Sequence, residues 1–187
     1  MDIHTLISSI LPLPPTAAKR LAAVATPVTL HKGHLLFRAG KLEHSVYFIS
    51  QGLARVYYHD RTNEVTLCFG KEGDVLISLR SYIQHCPGYE NIELLETSKL
   101  FRLAIADLHD LYTHDTHIAN WGRKLAEQEL IETEERVMSR QFKTATERYQ
   151  ELISKQPNLL QRVQLGHIAS YLGISQVTLS RIRAEIR

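Results

Sequence analysis

The stretch NLLQRVQLGHIASYLGISQVTLSRIRAEIR, residues 158–187, is the most informative part of the chain. It reads as two short helices joined by a tight turn, the layout of a helix-turn-helix. Ala169 is small enough to let two helices cross closely. Gly173, four residues on, suits a turn that needs positive φ. Ile168, Leu172, Ile174, Leu179 and Ile182 fall where the inner faces meet, and Ser175 is placed to cap the second helix. The outward face of that helix then carries Gln176, Val177, Ser180, Arg181 and Ala184. Arg181 suits guanine and Gln176 suits adenine, while Val177 offers apolar contact to a thymine methyl. Thr178, Ser180, Arg162 and Arg183 suit phosphates. Ser175, Gln176, Val177, Thr178, Ser180, Arg181 and Arg183 are thus the expected contacts to double-stranded DNA.

Charge supports this. The 187 residues carry a net +2, but residues 158–187 hold four Arg against one Glu, leaving −1 for the remainder. Basic charge gathered at one end suits phosphate contact. Hydrophobic residues make up 44% and charged residues 22%, as in ordinary soluble globular proteins. No apolar run is long enough to span a membrane. The start, MDIHTLISSILPLPP, reads as a short amphipathic helix ending near Pro12 rather than a signal peptide, so a cytoplasmic location is expected. Cys68 and Cys86 have no metal-ligand spacing and read as free buried thiols.

Working back toward the N-terminus, residues 28–103 read as β. SVYFIS (45–50), LARVYYH (53–59), EVTLCF (64–69) and KLFRL (99–103) are short and rich in β-branched and aromatic residues, with turn signals between them. Strands at this spacing predict an antiparallel sandwich or jelly roll. Residues 106–112 predict a short helix. Residues 117–142 predict about seven helical turns with a loose apolar stripe, and Ile118, Trp121 and Leu125 on it are the expected dimer contacts. A further helix over 145–156 is stopped by Pro157. The fold class is α+β, with a sensor-like β-barrel over 1–115, a long dimerisation helix over 116–143 and a helix-turn-helix domain over 144–187.

With both ends read, the chain resembles the Crp/Fnr superfamily of bacterial transcription regulators, closest to its short Bacteroidetes-type members. The matching residues are HKGHLLFRAG (31–40), VYFISQGLARVYY (46–58), EGD (72–74), LETSKLFRL (95–103), ERY (147–149), Pro157, IASYLGIS (168–175) and TLSRIR (178–183). The resemblance implies a cyclic-nucleotide-binding-type jelly roll, a long dimerising helix and a C-terminal DNA-binding domain. It also implies a homodimer on a two-fold symmetric operator, with reading helices about one DNA turn apart, and RNA polymerase as a partner.

Departures from the family matter as much. Members that bind cyclic AMP hold its ribose with a Gly-Glu pair and its phosphate with an Arg-Ala segment. Here those places fall at Ile77-Ser78 and at Gly88-Tyr89-Glu90. A cyclic phosphate needs a cationic or N–H-rich cradle; Glu90 has the wrong sign, and Arg80 does not fit the family position. Ile77, Ser78, Gly88 and Tyr89 are therefore candidates for a pocket that takes another small effector, and cyclic AMP is not expected. The family's N-terminal cysteine cluster for iron–sulfur is missing. Haem is not expected either, since His85, His114 and His117 read as surface or capping residues. Val177 stands where relatives place an acid, so a different operator is expected. A helix-turn-helix domain without the family's final wing is expected.

Two other classes remain. One is a sensor module that signals through protein partners, against which the Arg-rich last helix argues. The other is a metal enzyme on a cupin-like roll, which needs His-x-His with a following Glu. His31 and His34 are three apart and face opposite sides of a strand, so no metal site and no enzyme is expected.

Overall fold

The computed structural model describes residues 1–60 and 63–186. Arg61 and Thr62, in the expected turn, and Arg187, counted above in the basic tail, lie outside the described residues. The chain divides into two compact units, Met1–Val56 with Phe69–Glu129, and Tyr57–Cys68 with Leu130–Arg187.

The first unit begins with two helices. In α1 (Ile3–Ile10), Asp2 Oδ1 accepts the Thr5 N–H at 2.9 Å, an N-cap that starts the helix. In α2 (Pro15–Ala23), Pro15 stands at the first helical position, where its missing N–H costs nothing. Eight strands follow: β1 (Thr26–Leu30), β2 (Leu35–Phe37), β3 (Ser45–Gln51), β4 (Ala54–Asp60), β5 (Asn63–Gly70), β6 (Val75–Leu76), β7 (Asn91–Leu94) and β8 (Ser98–Ala104), with α3 (Leu79–Gln84) between β6 and β7. They form two four-stranded sheets, β1-β8-β3-β6 and β2-β7-β4-β5. The pairs β1–β8, β3–β8, β3–β6 and β2–β7 are antiparallel.

Strand alternation sets up two cores. Tyr47 and Ile49 of β3 point between the sheets, where Phe37, Leu76, Ile92, Leu94 and Leu100 meet. Val46 and Phe48 point the other way, onto Leu6, Ile7 and Leu21 of the first two helices. That second core is closed by Ile105 and Leu108 of α4 (Ile105–His114) and by the start of α5 (Thr116–Phe142). Within the second sheet, buried Arg55 of β4 pairs with part-exposed Glu93 of the neighbouring β7, Nη1 lying 3.1 Å from Oε1.

One expectation is corrected here. Ile118 and Trp121 do not face a second copy of the chain: they are 0% and 1% exposed in the unit's own core. Trp121 Nε1 donates to Ile7 O at 2.9 Å, and half-buried Leu125 leans on the same cluster. The apolar residues that α5 exposes lie further on, at Leu130, Ile131, Val137, Met138 and Phe142.

The second unit holds the end of α5, then α6 (Ala145–Lys155), α7 (Leu159–Arg162), α8 (Leu165–Leu172) and α9 (Gln176–Glu185). Thr144 and Glu147 form a reciprocal capping box that starts α6. Tyr57–Cys68, the outer half of β4 and most of β5, belongs to this unit. Ser170 Oγ accepts the Thr66 N–H at 2.9 Å and donates to Glu64 O at 2.8 Å, and Arg140 donates to Thr66 O at 2.8 Å. These bonds join the hairpin residues Glu64 and Thr66 to the helices of the unit. Among the described residues neither Cys68 nor Cys86 is in a disulfide, and both are half-buried rather than buried.

Candidate nucleic-acid interface and effector pocket

The helix-turn-helix forms as its residue types require. Gly173 takes φ 68°, and the Gly173 and Ile174 N–H groups close the end of α8 on Ser170 O and Ala169 O. The left-handed position costs a Cβ-bearing residue about 1 kcal/mol or more, which glycine avoids. Ile168, Ala169, Leu172, Leu179 and Ile182 are buried together, while Ile174 is half-buried. Arg148 of α6 ties the turn down, donating to Leu172 O at 2.8 Å and Lys143 O at 2.6 Å.

The expected contact residues divide into two kinds. Ser175 is the N-cap: its Oγ accepts the Thr178 N–H at 3.1 Å and lies 2.9 Å from Thr178 Oγ1. Both hydroxyls are thus used within the first turn, and half-buried Thr178 serves the helix first. Gln176, Val177, Ser180 and Arg181 are exposed on one side, with Val177 61% exposed. Gln176 lies over Gly166, where a Cβ would come within 2.7 Å of Nε2. Arg181 and half-buried Arg183 make no hydrogen bond or ion pair among the described residues. The face therefore offers an amide, a branched apolar side chain, a hydroxyl and two uncommitted guanidinium groups. Those groups suit base edges and phosphates.

The four pocket candidates are not brought together as a set. Ser78 and Gly88 meet: a Cβ on Gly88 would stand 2.5 Å from Ser78 Oγ. Ile77 instead packs on the helix-side core, and Tyr89 is 62% exposed. Glu90 joins the pair, buried with Oε1 2.8 Å from the same point. Nearby, Tyr82 of α3 and Tyr112 of α4 share a hydrogen bond of 3.0 Å, and burial pushes both phenols up. His85, His114 and His117 are all exposed, and no group of His, Cys, Asp or Glu among the described residues is arranged to hold a metal ion.

Sequence reasoning missed α2, α3, α7, the Ser170–hairpin bonds and the Arg148 tie. The Pro14-Pro15 pair is a usable start signal for α2. The other helices are too short for periodicity to show.

A cyclic nucleotide-binding domain model matches residues 27–115. No curated protein matches the sequence. Solved structures do resemble the fold. FixK2 from Bradyrhizobium japonicum is 20% identical with a TM-score of 0.72, over 87% of this chain and 84% of its own. The c-di-GMP-responsive global regulator CLP of Xanthomonas campestris is 15% identical with a TM-score of 0.73, over 92% and 91%. A putative Crp/Fnr-family transcriptional regulator from Eubacterium rectale is 14% identical with a TM-score of 0.74, over 93% and 85%. Residues 27–115 thus match the cyclic nucleotide-binding domain, and the fold resembles that of the Crp/Fnr regulators.

Proposed function

We propose that this protein is a sequence-specific transcription regulator that binds double-stranded DNA as a homodimer, and that it is not an enzyme. The observation that carries the reading is the outer face of α9, where Gln176, Val177, Ser180 and Arg181 stand exposed on a capped and buried-backed helix. A helix so presented can enter the major groove with its N-terminal residues on base edges.

Dimerisation is supported by the exposed stripe on α5. Leu130 and Val137, and Ile131 and Met138, are seven residues apart, with Phe142 four beyond Met138. Seven-residue spacing keeps such side chains on one seam, which a second helix covers. Two copies of α9 then suit an operator with two-fold symmetry, different in sequence from that of relatives with an acid at position 177. RNA polymerase belongs to this reading as a further partner. No described helix is long and apolar enough to cross a membrane, which fits a cytoplasmic regulator.

The effector pocket is diverged. A buried carboxylate stands at the position where a cyclic phosphate needs positive charge, so cyclic AMP is not its ligand. Haem and iron–sulfur clusters are not part of the reading.

A gel shift with DNA from the protein's own promoter region, run over a salt series, tests the proposal. Binding that weakens steeply with salt, with two protomers per site, is expected. No retardation at low salt at any dimeric concentration would sink it.

A further inference from the structure

Three buried polar side chains near Gly88 have no complete use in the fold. Ser78, Glu90 and Asn91 are 3%, 8% and 7% exposed. Ser78 Oγ, Glu90 Oε1 and Asn91 Nδ2 have no hydrogen-bond partner among the described residues. The two oxygens converge on Gly88, within 2.5 Å and 2.8 Å of the point where a Cβ would stand. The backbone there is held firmly: Gly88 O accepts the Gly40 N–H at 2.8 Å, and the Gly88 N–H donates to Lys41 O at 3.2 Å. The other Glu90 oxygen, Oε2, accepts only the adjacent Tyr89 N–H at 3.1 Å. No cation pairs with this carboxylate among the described residues.

A carboxylate withdrawn from water with an unanswered oxygen is costly, and each such atom in a native fold calls for an explanation. With Glu90 ionised the missing partner is a donor, because a carboxylate oxygen only accepts and Ser78 Oγ has lone pairs to spare. It should also be positive, since nothing else offsets the charge. We propose that Ser78 and Glu90 form the acceptor side of a binding site for the ammonium or guanidinium group of a small organic cation. Such a group carries several N–H donors and can satisfy both oxygens at once while neutralising the carboxylate. A phosphate would meet two acceptors and a like charge. The inference deepens the view of this pocket as diverged, and it is independent of DNA contact by α9.

The full-length protein, labelled with nitrogen-15, is titrated with methylguanidine and separately with ethylammonium. Sodium chloride at matched concentration, inorganic phosphate and cyclic AMP serve as comparisons. Saturable movement of the Gly88, Tyr89 and Glu90 amide signals with the two cations alone is expected. Glu90→Gln should weaken that binding by about tenfold or more, as loss of a charged hydrogen bond does. Ser78→Ala should weaken it by about threefold to tenfold on the scale of a neutral one, and it decides the matter if Glu90→Gln fails to fold. Equal movement with sodium chloride, saturation by phosphate or cyclic AMP in place of the cations, or unchanged affinity in the variants overturns the proposal. A gel shift on the same samples reports DNA binding separately, so failure of one assay is not failure of the other.

Discussion

Arg148 holds the last carbonyl of α8: its Nη2 donates to Leu172 O at 2.8 Å while Nη1 reaches Lys143 O. One guanidinium on α6 thus fixes the turn of the helix-turn-helix to the segment that precedes it. Arg148→Ala removes a hydrogen bond from a charged donor at each carbonyl and should cost about 2 kcal/mol of stability. Arg148→Lys, lacking the planar fork, recovers only part of it. Chemical denaturation of the three proteins at one pH checks this. A loss in Arg148→Ala within a few tenths of wild type would contradict the role.

Arg181 should read sequence and Arg183 should not. Replacing Arg181 by Ala is expected to cost about 1–3 kcal/mol of operator affinity and to relax preference at one base position. Replacing Arg183 by Ala should weaken all DNA sequences alike and lower the salt slope by about one. Binding-site selection with each variant, with affinities measured across a salt series, distinguishes them.

Acid should loosen the helical unit through Glu151. A hydrogen bond from Lys143, with others from Lys155 and Ser139, lowers its carboxyl from 4.5 to about 2. A folded-state value below the unfolded one means the stabilisation is full above the ordinary carboxylate range. It fades as pH falls from about 4.5 toward about 2. Glu151→Gln is therefore expected to be less stable than wild type at neutral pH, with the gap closing in acid. A gap that stays constant across thermal melts from pH 7 to pH 2.5 would show that the carboxylate is not responsible.

The buried pair in the sheets is more sensitive. Arg55 is 2% exposed and faces Glu93 at 3.1 Å. Glu93→Gln removes the carboxylate that Arg55 Nη1 faces at 3.1 Å and should cost about 2 kcal/mol, as loss of a charge-assisted hydrogen bond does. Surface Lys124→Gln, which loses only an exposed contact to Glu127, should change stability by under about 0.5 kcal/mol. Comparing the two melting temperatures tests the contrast.

Where local chemistry decides the structure, the sequence shows it. Ala169, Gly173 and Ser175 each answer a demand of the turn, and α9 exposes the residues its period predicts. The misplaced dimer contacts show the opposite case. Ile118, Trp121 and Leu125 make an apolar stripe that looks the same whether its own α1 or a second protein covers it. Only the packing of Trp121 beside Ile7 decides. Ser170 and Thr66 are 104 residues apart, and a hydroxyl meeting a distant backbone amide leaves no periodic trace. Glu90 was visible as a charge of the wrong sign, but not as a buried one.

β5 stands at the end of its sheet, in the order β2-β7-β4-β5. An uncovered edge strand is a template on which other chains add strands and aggregate. Ser170 and Arg140 occupy the backbone at Glu64 and Thr66, so a foreign strand finds those places already taken. A residue inside the helix-turn-helix thereby covers part of that edge. Changes at Ser170 made to alter DNA recognition should first betray themselves as poor solubility.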